Sequence, residues 1–172
     1  DTIALSIGDF RQYELAQDDE SLFGKLHLID LTSTNIRTLA KGVRNPQGLS
    51  LSNNPNFIIS TEHGPKGGDE INIVELNKTN NFGWPISSYG DHYGGTLKYS
   101  SDLEKLYELA PFHKSHEKYG FREPAYYFPY NRVVSHGISD IEINYFSPNK
   151  FFVGTLNGRV LYDVELNLEE NK

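Results

Sequence analysis

Short β-type runs recur along the whole chain, roughly every 8–12 residues, and Gly, Pro, Asn and Asp punctuate them. A chain built this way must pair many short strands through tight turns, which limits it to a sandwich, a barrel or a propeller. Thr2–Ile7 reads as a strand closed by Gly8-Asp9, and Lys25–Leu31 and Ile36–Ala40 follow. Gly48–Ser52 and Phe57–Thr61 form a hairpin around Asn53-Asn54-Pro55, and Glu70–Leu76 alternates with Ile71 and Ile73 on one side. Pro124–Pro129 is an aromatic extended stretch, and Ser139–Asn144, Lys150–Thr155 and Arg159–Leu166 complete the series. Arg11–Glu20 is a loop or helical turn, and Gly83–Gly95 a loop. Asp102–Leu109 is the one helix: Leu103, Leu106, Tyr107 and Ala110 share a face, Asp102 sits near the N-cap and Pro111 stops it. Strand and helix nowhere alternate at the βαβ period.

Composition narrows the function classes. Hydrophobic residues are 37% of the chain, a low share, but 11 Tyr and 10 Phe supply large apolar surfaces for a core. A net charge of −7 with no basic patch argues against a nucleic-acid surface. No apolar run approaches the roughly 20 residues that cross a bilayer as a helix. With no cysteine, disulfides, zinc-thiolate sites and thiol nucleophiles are excluded. With no methionine and a strand at the first residues, the expectation is a processed chain or an internal fragment.

Three strings carry chemistry: Arg44-Asn45-Pro46-Gln47-Gly48-Leu49, Glu62-His63-Gly64-Pro65-Lys66-Gly67-Gly68-Asp69-Glu70, and Asn81-Phe82-Gly83-Trp84-Pro85. In the second, the glycines permit positive φ, so carbonyls can turn inward, and Pro65 gives up its donor. Asp69 and Glu70 add carboxylates. Six to eight hard oxygens of this mixed kind suit calcium, although the acid spacing is not that of an EF-hand. The plainer reading is a polar hairpin loop. Arg44 offers a planar fork for a carboxylate or phosphate, or a bridge to an acid such as Asp69. Asn45 and Gln47 bring amides, and His63 is a base, a donor or a loop histidine with one hydrogen bond. His113, His116 and Glu117 have transition-metal spacing, against the simpler alternative of a solvated polar run. His136-Gly137 lies where an aromatic stretch turns into a strand. No GxSxG, Walker loop or GxGxxG is present.

Taken in order and spacing, RNPQGL, EHGPKGGDEIN, NFGWP and Tyr89-Gly90 resemble the soluble PQQ-dependent sugar dehydrogenases, the glucose/sorbosone dehydrogenase family. Ser6–Asp9, Ala16-Gln17, Gly24-Lys25 and Ile29-Asp30 fit the stretch before RNPQGL in that family. The resemblance is dense over about Thr2–Asp91, thin through 95–130, and returns at Phe151–Leu166. It implies an all-β fold, about half of a six-bladed β-propeller of four-stranded antiparallel blades. The whole of 1–172 would be one partial propeller of roughly three blades, with a less regular insertion around 92–125.

The resemblance also implies oxidation of an aldose to its lactone, with pyrroloquinoline quinone (PQQ) and calcium as cofactors. Arg44 and Asn45 match cofactor-contacting positions, with Gln47 and His63 beside them. Gly64 and Pro65 match the carbonyl pair that ligates the cofactor's calcium, and Glu70, the Phe82 carbonyl and Asp91 match a second, structural calcium site. The family's catalytic histidine lies upstream of Ser6–Asp9, so the chain contains no catalytic residue. Where a lysine often meets the cofactor, this chain has Asn157 or Gly158, with Arg159 beyond. The family's proline- and serine-rich strand appears as Val134-Ser135-His136-Gly137-Ile138-Ser139. Expected partners are a sugar and an electron acceptor, a homodimer is open, and the family's export implies a periplasmic or secreted location. Two other readings stay open: a non-catalytic calcium-stabilised propeller that binds a glycan or a protein, and a calcium-dependent propeller lactonase in which carboxylates and His63 activate water, an arrangement that needs several acids on one metal where only Asp69, Glu70 and Asp91 can be named.

Overall fold

The computed structural model describes residues 1–91, 111, 113–129 and 136–168. The expected helix at Asp102–Leu109 lies outside the described residues, as do Val134 and Ser135. Eleven strands follow in chain order: β1 (Thr2–Ile7), β2 (Lys25–Asp30), β3 (Ile36–Lys41), β4 (Pro46–Leu51), β5 (Phe57–Glu62), β6 (Asp69–Glu75), β7 (Asn80–Asn81), β8 (Tyr126–Phe128), β9 (Ile138–Ile143), β10 (Lys150–Thr155) and β11 (Leu161–Glu165). The polar stretch after β1 contains a short 3-10 turn, Tyr13–Ala16.

The strands form three sheets, ordered β1-β2-β3-β7, β4-β5-β6-β8 and β11-β10-β9. Within each, strands next in sequence pair antiparallel, the arrangement that tight turns allow. One pairing departs from an all-antiparallel blade: two-residue β7 runs parallel to β3. Asn80 explains it, because its side-chain amide donates to the carbonyls of Leu39, Glu75 and Lys78 and ties the segment to the edge.

The middle sheet is covered on both faces. Ile59, Ile71, Ile73 and Phe128 pack against Ile138, Ile141, Phe151 and Val153 of the third sheet. Ile58 and Val74 point the other way and pack with Leu26, Leu39, Ala40 and Val43 of the first. The period-two alternation of β5 and β6 thus feeds two cores, and burying both sets of side chains is what drives three sheets to stack face to face. Loops at one end of the middle sheet then meet loops from both neighbours.

Candidate functional site

Residues of all three strings, together with Asp9 and Gln17, meet at that end. Asp9 receives a 2.7 Å hydrogen bond from the Trp84 indole, and its backbone amide donates to the Arg44 carbonyl. The Arg44 guanidinium lies 5.4 Å from the Trp84 ring centre, a cation–π contact. Gln17 and Asn81 exchange two side-chain hydrogen bonds, and the Gln17 amide also donates to the Trp84 carbonyl.

Arg44 sits at the centre. Its guanidinium donates to the Gly64 carbonyl (2.9 Å) and the His63 carbonyl (3.3 Å), and its backbone amide donates to Glu62 (2.6 Å). The Gly64–Gly68 turn is tight: a Cβ on Gly64 would collide with the carbonyl oxygens of Gly67 and Gly68. Gly67 and Gly68 take positive φ, 66° and 68°, which glycine adopts without strain. Asn45 and Gln47 stand exposed at the mouth. His63 points its Nε2 at the Ile138 carbonyl (2.5 Å), and the Asn45 amide approaches its Nδ1 at 3.4 Å.

Behind the turn lies a cavity of about 10 Å³, room for one water-sized group, lined by Arg44, Glu62, Gly64, Glu70, Phe82 and Trp84 among others. Glu62 and Glu70 are register partners on β5 and β6, and both are buried. Burial pushes the Glu62 carboxyl up to about 7, against the pull of the Arg44 amide and guanidinium. Burial, and then the Glu62 charge, hold Glu70 well above the usual carboxylate range. The Asn72 amide donates to Glu62 (2.8 Å), while its buried Oδ1 has no hydrogen-bond partner among the described residues. Two desolvated carboxylates and an orphaned amide oxygen are the chemistry a hard cation satisfies, so these residues fit calcium.

The other proposed ligands fall elsewhere. Asp91 is exposed and pairs with Lys114 at 2.6 Å. Both Asp69 oxygens accept backbone N–H groups, from Gly64 and Ile138. The three acids of the lactonase reading therefore do not converge. Nor do His113 and His116: His113 stacks on Tyr119, with ring centres 3.4 Å apart. His116 is buried between Glu70 (3.6 Å) and Glu123 (3.7 Å), and burial lowers its pKa. Among the described residues no cluster of three His, Cys, Asp or Glu side chains has metal-binding geometry.

Sequence reasoning missed Glu62, Asn72, His116 and Glu123 as neighbours of the site. For Glu62 a signal existed, since it is the strand residue opposite Glu70 once the hairpin register is drawn. The positions of His116 and Glu123 depend on long-range packing. The far end of the site is built by the third sheet. The His136 carbonyl accepts from the amides of Asn157 and Gly158, and His136 Nδ1 lies 2.8 Å from the Tyr162 hydroxyl. Asn157 and Arg159 are exposed.

Two four-stranded sheets and a third, of three strands among the described residues, stacked face to face with a loop-built site at one end, have the architecture of a β-propeller segment. The Glucose / Sorbosone dehydrogenase family model matches residues 1–172, so the chain belongs to that family. It is 28% identical over 178 residues to aldose sugar dehydrogenase YliI of Escherichia coli, covering 95% of this chain and 44% of that protein. The crystal structure of the soluble aldose sugar dehydrogenase from Escherichia coli in the apo-form superposes with a TM-score of 0.66 at 24% identity, over 98% of this chain and 52% of that one. The PQQ-bound aldose sugar dehydrogenase from Streptomyces coelicolor gives 0.64 at 20% identity, over 97% and 42%. These likenesses establish the fold, about half of a propeller; the chain spans about half the length of the relatives it matches. No helix among the described residues is long and apolar enough to cross a membrane.

Proposed function

We propose that the protein containing this chain oxidises an aldose at its anomeric carbon to the lactone, using PQQ and calcium. The observation that carries this reading is the convergence of the Arg44 guanidinium and the Gly64 carbonyl beside a cation-sized cavity that holds Glu62 and Glu70. The Gly64 and Pro65 carbonyls would hold the cofactor's calcium, and Glu70 with the Phe82 carbonyl the structural one. The pairing of Asp91 with Lys114 assigns it a weaker part. When bound, PQQ supplies a two-electron acceptor for the hydride leaving the sugar, and calcium supplies positive charge that polarises the quinone.

The chain's own residues bind and orient. Arg44 presents a fork of donors to a carboxylate from a site that is half closed to water. Its stacking on Trp84 and its bond to Gly64 hold that fork in place. Asn45 and Gln47 at the mouth supply amides for polar groups of the cofactor or sugar. His63, engaged on Ile138, seats the loop.

The test is a calcium and PQQ titration of the full-length protein, followed by dye-linked sugar oxidation. Stoichiometric PQQ binding that requires calcium, with turnover of an aldose, supports the reading. Calcium stabilisation without PQQ binding overturns it, and the search turns to glycans and protein partners. Fractionation of the source cells tests the accompanying expectation of a periplasmic or secreted location, and sedimentation decides between monomer and homodimer.

A further inference from the structure

Asp69 is 3% exposed, and each of its oxygens meets a backbone amide from a different part of the molecule. Oδ1 accepts from Gly64, in its own loop, at 3.1 Å. Oδ2 accepts from Ile138, at the start of β9 in the neighbouring sheet, also at 3.1 Å. The other polar group of Ile138, its carbonyl, accepts from His63 Nε2 at 2.5 Å. A third bond crosses the same seam a step deeper, from the Thr61 hydroxyl to the Ser139 carbonyl at 2.5 Å. Side chains that flank the Gly64–Gly68 turn on both sides therefore capture both backbone groups of one residue in the next sheet.

We infer that Asp69 is a positioning residue: its carboxylate fixes the Gly64–Pro65 carbonyl pair relative to the strand beginning at Ile138, so the two ends of the candidate site are held at one spacing. This rests on the reading of that turn as the cation-holding element. The chemistry requires an aspartate. Both partners are N–H donors, so both oxygens must be acceptors; an asparagine of the same shape would turn an NH₂ toward one of them. A glutamate is one methylene too long for a pocket this closed. Gly64 packs closely in the turn, since a Cβ built on it would overlap the Gly67 and Gly68 carbonyl oxygens.

Asp69→Asn and Thr61→Val in the full-length protein separate positioning from plain seam adhesion, since both cut a buried bond across the same seam and only the first touches the turn. Amide hydrogen exchange, calcium affinity by calorimetry, PQQ affinity and melting are read for each. Asp69→Asn is expected to speed exchange at Gly64 or Ile138 at least tenfold and to weaken calcium-supported PQQ binding at least tenfold, while melting falls no further than in Thr61→Val. Thr61→Val is expected to leave Gly64 exchange and both affinities within about twofold. Unchanged exchange at both amides in Asp69→Asn, or equal loss of affinity in the two variants, overturns the inference. If wild type binds no PQQ, the functional reading fails, yet the exchange and calcium measurements still decide the role of Asp69. If Asp69→Asn does not fold, Asp69→Ser, which retains one acceptor, carries the same comparison.

Discussion

The two ends of the candidate site are made by different means. At the Arg44–Glu70 end, side chains do the holding: Arg44, Glu62, Asp69 and Asn72 each bond a named backbone or side-chain partner, and several are buried. At the 136–159 end backbone bonds carry more of the frame, with the Leu156 amide on the Gly137 carbonyl (2.8 Å) and the Gly158 amide on the His136 carbonyl (3.0 Å), joined by Thr155 Oγ1 on both polar groups of Val160 and by the His136–Tyr162 contact. The first end cannot change one residue without orphaning another. The second rests more on backbone bonds, which would survive a change at an exposed position such as Arg159. Such a division suits a site with fixed cofactor chemistry and an adjustable approach for substrate.

The largest test of that contrast is Gly64→Ala. The added methyl meets backbone on two sides, which cannot move like a side chain. We expect a loss of about 2–4 kcal/mol, roughly 5–10 °C in melting, together with loss of calcium stabilisation. Gly158→Ala, facing the ends of the Thr155 and His136 side chains, should lower melting far less, and an equal fall would erase the contrast. Arg44→Ala comes next. It should weaken PQQ binding by on the order of 100-fold and lower melting less than Gly64→Ala does, because the two hydrogen bonds lost come from a half-exposed side chain that water can partly replace. Collapse of melting instead would make Arg44 a structural bridge.

The buried acids give the third. The carboxyl of Glu62 sits at about 7 in the fold against an ordinary 4.5, so the folded state holds the proton more tightly. That contribution is fully present below about pH 4.5 and is lost as pH rises to about 7; Glu70 has the same sign. In chelator, melting should fall across this window by the equivalent of about 3 kcal/mol from Glu62, with Glu70 adding to it, and calcium should flatten the fall. Glu70→Gln should lower melting in calcium and leave it equal or higher in chelator; equal loss in both conditions argues against a cation at Glu70. The smallest effect belongs to the far end. Tyr162→Phe removes the contact with His136 and should cost about 1 kcal/mol, with calcium affinity unchanged by calorimetry.

Much of this was legible in the sequence because it is local. Strand bounds moved by a residue or two, since turn residues such as Gly8-Asp9 and Asn53-Asn54-Pro55 mark them directly. The turn at Gly64–Gly68 was legible because glycines and a proline leave few conformations. What Asp69 and His63 do was not, because their partner Ile138 is 69 and 75 residues away and contributes only backbone, which leaves no trace in side-chain identity. The burial of His116 was illegible for a related reason. Its neighbours Glu70 and Glu123 come from opposite ends of a long excursion, and the local sequence reads as polar.

Gly48 on β4 bears on how two sheets meet. A Cβ there would lie 2.6 Å from the Ile141 amide nitrogen and 2.9 Å from the Asp140 Cα of the adjoining sheet. The absent side chain acts as a shim of zero thickness at the seam. A closed propeller must divide a full turn among its sheets, so a wedge opened at one seam has to be absorbed at the others. The absent side chain thus fixes the spacing of two neighbouring sheets at the point where β4 meets β9.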